Sequence, residues 1–151
     1  MIKQRFVDTE IKETIEEHLR CIDHPTAVHW ALGCAEHVIQ YYERKFPHDG
    51  RPREAIEAGR AWLQGTMKVR EVRKASFAAH AAARQTDDKA ATAAARAAGQ
   101  AVATVHVFGH AIHASTYAVK AIAHATHFDA EAVADERAWQ YKYLLDLEKE
   151  M

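Results

Sequence analysis

Residues 78–98 read AAHAAARQTDDKAATAAARAA, and this stretch decides the fold class. It holds twelve alanines among 21 positions, and alanine has the highest helix propensity of all residues. The run Thr86-Asp87-Asp88 interrupts it, and a capping residue followed by acidic residues is typical of a helix N-terminus. Because side chains this small let helix backbones approach closely, we predict that the helices on either side form the tight middle of a bundle.

The helical pattern extends outward in both directions. Only three prolines occur, at positions 25, 47 and 52, and apolar residues recur at spacings of three and four. No alternating run and no hairpin signal indicates a strand. With 151 residues, of which 48% are hydrophobic, the chain can bury a core without the help of disulfide bonds or metal ions. The sequence therefore predicts one all-α domain, 1–151, built as a bundle of five to seven helices with a long Ala-rich central helix.

Several residues mark where the helices begin. We expect Asp8 to cap a first helix that ends near Leu19, Pro25 to lie in the first turn of a second that ends near Lys45, Pro52 to open a third and Asp129 to cap the last. The inner stripe of that last helix is Val133, Arg137, Gln140, Leu144 and Leu147, with Trp139 and Tyr143 beside it.

The glycines of the Ala-rich region predict a break. An unbroken helix from Thr86 to Ala125 would be roughly 55–60 Å long, too long for a domain of this size. We expect the break near Gly99 or Gly109, with Gly99 favoured.

Composition argues against several functions. The chain carries 20 basic and 21 acidic residues, a net charge of −1, whereas a nucleic-acid binder normally has a basic excess. Residues 97–119 are free of charge, but their histidines and alanines make membrane insertion costly, so we predict a buried helix. The N-terminal residues 1–5 lead into charged residues and lack an apolar signal core. We expect a cytoplasmic protein with no nucleic-acid or membrane partner and no cofactor.

Eleven histidines are a high count, and three of them raise the possibility of a metal site. His106, His110 and His113 are spaced i, i+4, i+7 and would share one face of a helix, where imidazoles can bind zinc or nickel. The zinc-protease pattern requires a glutamate directly after the first histidine, and Val107 stands there. We favour the interpretation that these are hydrogen-bonded core histidines.

Two further groups are candidates for chemistry. Cys34, Glu36 and His37 could suggest a nucleophile with a base, but residues i and i+2, as Cys34 and Glu36 are, do not face each other on a helix, so we predict no catalytic dyad. Arg51 and Arg53 flank Pro52 beside backbone N–H groups that lack a helical acceptor. They could bind a carboxylate or phosphate, or clamp Glu36 or Glu43 of the preceding helix, and we favour the clamp.

The order and spacing of several blocks resemble those of bacterial immunity proteins with an Imm-five-like domain. The blocks are Cys34-Ala35-Glu36-His37, Asp49–Ile56 continuing to Ala61-Trp62, Phe77–Arg84, Gly99–His106, His110-Ala111 and Glu136-Arg137-Ala138-Trp139-Gln140. The likeness covers residues 24–147, which leaves residues 1–23 as an N-terminal addition.

The resemblance implies an all-helical protein that protects its own cell by binding a toxin, without turnover. It gives Glu36, His37, Arg51, Arg53 and Glu54 a structural or recognition role. Two alternatives stay open. One is a metal-binding protein or metal-dependent hydrolase that uses His106, His110 and His113. The other is a helical scaffold that self-associates, as a homodimer, through its Trp and Tyr faces.

Overall fold

The computed structural model describes residues 5–151, and the prediction of an all-α bundle is confirmed for them. The helices are α1 (Ile11–Leu19), α2 (His24–Val38), α3 (Gln40–Glu43), α4 (Arg51–Leu63), α5 (Val69–Arg84), α6 (Lys89–Ala103), α7 (His110–Ala125) and α8 (Ala130–Lys149). Only Ile39 separates the short α3 from α2. When these two are counted as one interrupted helix, the bundle has seven helices.

Three of the predicted helix starts are confirmed by capping hydrogen bonds. The carboxylate of Asp23 accepts from the Thr26 backbone N–H, with Pro25 in the first turn of α2. Asp88 caps α6 and Asp129 caps α8, accepting from the backbone N–H of Ala91 and of Glu131, so the start of α6 is as predicted but its cap is Asp88 and not Thr86. Each cap satisfies a backbone donor that has no partner within its own helix. The prediction for Asp8 is wrong, because Glu10 is the N-cap of α1.

The central helix is α6, as the alanine content predicted. Ten of its 15 residues are buried, and every one of the ten is alanine, glycine or valine. It packs against the interrupted helix α2–α3 and against α4, α5 and α7. One helix can contact four others because its side chains are so short that its backbone lies close to each of them.

The predicted position of the break, Gly99, is wrong. Helix α6 continues through Gly99 to Ala103, and residues 104–109 form the connection to α7. Gly99 serves packing instead, since a Cβ atom there would lie 2.6 Å from Nε2 of His80 on α5. Gly109 is the N-cap residue of α7 and therefore lies at the break.

Helix α8 is held by a buried arginine. Arg137 has no exposed surface, and it donates from Nε and Nη2 to the two carboxylate oxygens of Asp8, at 2.9 and 2.6 Å. Its remaining bonds go to Ser115, Thr116 and the side chain of Gln140. All five guanidinium donors are thereby used, which makes burial of the charge tolerable. This pairing explains why Asp8 is not a helix cap.

None of the helices in residues 5–151 combines the length and the apolar character needed to cross a bilayer.

Candidate interaction site

The outer sides of α2, α4 and α8 together form a shallow surface cavity. Its volume is about 360 Å³, and it is lined by Gly33, Glu36, His37, Arg60, Trp139 and Tyr143, which we call the α2–α8 face. Gly33, Glu36 and His37 follow the i, i+3, i+4 spacing on α2, and Trp139 and Tyr143 are one turn apart on α8. The two helices therefore present these side chains in one direction.

Three stacked rings cross this face. His37 lies on Trp139 with the ring centroids 3.6 Å apart and the planes inclined by 10°, and Trp139 stacks on Tyr143 at 5.4 Å. Trp139 keeps 36% of its surface exposed despite these contacts. Nδ1 of His37 donates to Oε2 of Glu136 at 2.9 Å, and Glu136 is almost fully buried. The buried carboxylate thus fixes the outermost ring of the stack.

Tyr143 reaches its position because residue 33 is glycine. A Cβ atom at position 33 would lie 2.2 Å from the ring atom Cε2 of Tyr143, so the ring rests directly on the backbone of α2. Burial, together with the neighbouring Cys34, raises the pKa of Tyr143 to about 12. Tyr143 is therefore neutral at physiological pH and serves as a fixed aromatic wall.

The charged edge of the face is a chain of ion pairs, which confirms the predicted clamp for Arg53 but not for Arg51. Glu36 accepts from Arg53 at 3.0 Å and from Arg60 at 2.6 Å. Arg53 also donates from Nε and Nη2 to both carboxylate oxygens of Glu43. The guanidinium of Arg53 thus binds Glu43 through two nitrogens and Glu36 through the third, and it links α4 to α2 and α3.

The other two residues of the arginine motif lie outside this chain of ion pairs. Arg51 donates to Asp49 and Gln85, and Asp49 also accepts from the hydroxyl of Tyr42. Glu54 is exposed and makes no side-chain hydrogen bond within residues 5–151. Of the five motif positions, the structure brings Glu36, His37 and Arg53 together.

Cys34 does not present a reactive thiol. It is fully buried, and burial together with the nearby Glu136 raises the pKa of its thiol well above the usual range. A neutral thiol away from solvent is a poor nucleophile. This agrees with the prediction that Cys34 and His37 form no catalytic dyad.

The prediction that three histidines share a helical face is wrong. His106 lies in the connection between α6 and α7, whereas His110 and His113 are on α7. Nδ1 of His110 donates to the side chain of Gln100, and both ring nitrogens of His106 are inaccessible to water without a hydrogen-bond partner in residues 5–151. In that same part of the chain, no three histidine, cysteine or acidic side chains lie close enough together to hold a metal ion.

Sequence reasoning missed Trp139 and Tyr143 as site residues. Their spacing of four placed them beside the buried stripe of α8, but the glycine that admits Tyr143 is on α2. The useful signal was the block from Glu136 to Gln140, in which Ala138 and Trp139 are exposed and the other three residues are buried. Aromatic residues and arginine are enriched at the centres of protein–protein interfaces. The arrangement is therefore suited to binding a protein.

No curated protein and no solved structure matches the chain. A family profile matches residues 17–147, beginning seven residues before the likeness seen in the sequence, and it is described as Imm-5 like putative immunity protein. The match covers most of the chain, including every residue of the α2–α8 face, and the protein therefore belongs to the Imm-5 like immunity protein family.

Proposed function

We propose that this protein is a cytoplasmic immunity protein that binds its cognate toxin stoichiometrically, and that the α2–α8 face is the surface on which the toxin docks. The family membership supports the role. The exposed stack of His37, Trp139 and Tyr143 supports the location, and it is the observation that carries the proposal.

The face is preorganised for binding. The three rings are fixed by one another, by Glu136 and by the backbone at Gly33, and Arg60 is held by Glu36. Ordering side chains at an interface normally costs free energy, and fixed rings avoid part of that cost. Trp139 and Arg60 are of the residue types that most often dominate binding energy.

The experiment uses candidate toxins encoded next to this gene in the same strain. Calorimetry of the full-length protein with each purified toxin measures affinity and stoichiometry, and a toxin activity assay measures neutralisation. We expect complete inhibition at a one-to-one ratio. Trp139→Ala should weaken binding at least about 30-fold, the effect expected of a central interface residue.

Phe77 provides a matched control. It is an aromatic residue of α5 with 64% of its surface exposed, outside the α2–α8 face. Phe77→Ala should bind the toxin like the unmodified protein, and circular dichroism should show that both variants are folded. Unchanged affinity in the folded Trp139→Ala variant would place the interface elsewhere. Complete inhibition of the toxin at far less than one molecule of this protein per toxin molecule would show turnover and overturn the stoichiometric role.

The exposed Trp139 also fits the alternative of self-association. Analytical ultracentrifugation of the protein alone separates the two cases. A dimer that is abolished by Trp139→Ala and that binds no neighbouring toxin would favour the scaffold.

A further inference from the structure

A second cavity of about 360 Å³ lies along the pair of helices α6 and α7. Three cations line it: Lys89 and Arg96 from α6, and Lys120 from α7. Tyr117 and His124 of α7 complete the opposite wall. Lys89 and Arg96 are seven residues apart, as are Tyr117 and His124, so each helix presents its polar stripe along the same groove.

The three cations lack acidic partners. Within residues 5–151, no carboxylate lies within 4 Å of Lys89, Arg96 or Lys120. Asp87 is the acidic residue of the lining, while the neighbouring Asp88 pairs with Lys45 at 3.5 Å. The lining therefore carries a net positive charge on a chain whose total charge is −1.

Arg96 is held in place by a neutral partner. Its Nη1 lies 2.9 Å from Nδ1 of His80. Burial and the charge of Arg96 lower the pKa of His80 to about 4, so the imidazole is neutral and accepts this hydrogen bond. The contact orients the guanidinium without cancelling its charge.

Lys120 is held in a similar way by aromatic rings. Its Nζ lies 5.1 Å from the ring centroid of Tyr117 and 5.8 Å from that of Phe6. Cation–π contacts fix an ammonium group while its positive charge remains available to an anion. Two of the three cations are thus oriented in advance and electrostatically uncompensated, which is what recognition of an anion requires.

Small side chains leave room for a ligand between the cations. Ala93 lies one turn after Lys89 and before Arg96, and it lines the cavity with only a methyl group. A cavity of this size is within the range of small-molecule sites. The space reaches the ring of Tyr117, which offers an apolar surface next to the charges.

We propose that this cavity binds a small phosphorylated molecule, with the phosphate group on Arg96 and Lys120 and the uncharged part against Tyr117. Three cations match the charge of a phosphate monoester better than that of a single carboxylate, and arginine binds phosphate through two parallel hydrogen bonds. Lys89 adds a third positive charge to the lining, against the single negative charge of Asp87. This proposal is independent of toxin binding at the α2–α8 face.

Amide NMR titration of the full-length protein with inorganic phosphate and with phenyl phosphate tests the proposal. We expect saturable shifts in residues 89–96 and 117–124, with tighter binding of phenyl phosphate because its ring reaches Tyr117. Lys120→Met should weaken binding about tenfold or more, the effect of losing one charge-assisted contact. Ala93→Leu should do the same by filling the cavity without changing the charge.

The control is Lys74→Met, which removes an exposed lysine of α5 outside the cavity lining. It should bind both compounds like the unmodified protein, as should Trp139→Ala. The proposal is overturned if no saturable shifts occur, or if Lys74→Met weakens binding as much as Lys120→Met. It is also overturned if both cavity variants lose toxin binding while neither phosphate compound binds, because the cations would then recognise a protein.

Discussion

Helices α6 and α8 are stabilised in opposite ways. The buried surface of α6 consists of alanine, glycine and valine, and its stability comes from close backbone approach to four neighbours. The buried surface of α8 includes Glu136, Arg137 and Gln140, which are joined to other parts of the chain by directional hydrogen bonds. Packing of the first kind follows from composition, whereas each bond of the second kind requires one particular distant partner.

This difference also separates their roles. Helix α6 is enclosed over most of its length, and its polar side chains Lys89, Thr92 and Arg96 line the groove shared with α7. Helix α8 is anchored through one face and leaves Trp139 and Tyr143 on the other. A polar anchor inside and an aromatic surface outside allow one helix to be both fixed and available for binding.

The largest expected effect comes from removing the anchor of α8. Arg137→Met keeps the side-chain length but deprives Asp8, Ser115, Thr116 and Gln140 of their donor. We expect the free energy of unfolding to fall by about 3–5 kcal/mol, because breaking a buried ion pair leaves polar groups unsatisfied. Urea denaturation measures this.

The exposed Arg44 is the control for that substitution. Its side chain bonds only to Gln40 one turn away, and Arg44→Met should change stability by less than about 0.5 kcal/mol. If Arg137→Met lowers the free energy of unfolding as little as Arg44→Met does, α8 is held by its leucines and not by the polar anchor.

An intermediate effect should come from adding one methyl group to α6. Gly99→Ala places a Cβ atom 2.6 Å from the His80 ring, and we expect a loss of about 1–3 kcal/mol from overpacking. Gly109→Ala is the matched control, since no atom lies within 4 Å of its Cβ position and its φ of −61° suits alanine. Thermal denaturation of both variants compares them. Equal melting temperatures would show that α6 tolerates larger side chains.

The smallest effect depends on pH and concerns His80, which packs on α6. Burial, with the charge of Arg96, lowers its pKa from the usual 6.5 to about 4. Between these values the unfolded chain binds a proton that the folded chain does not, so stability falls as the pH decreases from 6.5 to 4. With allowance for partial solvent contact, His80 contributes about 1–2 kcal/mol to this decrease.

Comparison of the unmodified protein with His80→Gln isolates that contribution, because other histidines with lowered pKa values act in the same direction in both proteins. Unfolding in urea at pH 7 and pH 4.5 should show a smaller pH dependence in the variant. An NMR midpoint for His80 near 6.5 in the folded protein would contradict the prediction.

Much of the fold could be predicted from the sequence, because helix starts are local signals. Asp23, Asp88 and Asp129 each cap the helix that follows them directly, and the alanines of α6 carry their own propensity. The break at residues 104–109 could not be placed, since Gly99 is explained only by His80 on another helix. The ion pair of Asp8 with Arg137 could not be predicted either. The sequence indicated that Arg137 lies on the inner stripe of α8, but not which residue it binds.

The candidate site was predictable only in part, for the same reason. The contact between Arg53 and Glu36 or Glu43 followed from the sequence because these residues lie on successive helices. The aromatic stack joins α2 to α8, and nothing local to His37 indicates that Trp139 will lie on it. His106, in the α6–α7 connection, was misplaced because a continuous helical pattern conceals a short interruption.

The bond between Asp8 and Arg137 has a consequence for local opening of the molecule. It joins residues separated by 129 positions, so opening of the segment before α1 removes one of the contacts that hold α8. A protein bound to Trp139 would restrain α8. Because Arg137 of α8 binds Asp8, the same protein would also protect residues 5–10 from proteases and slow their hydrogen exchange. Conversely, cleavage within that segment would loosen the aromatic face from the opposite side of the helix.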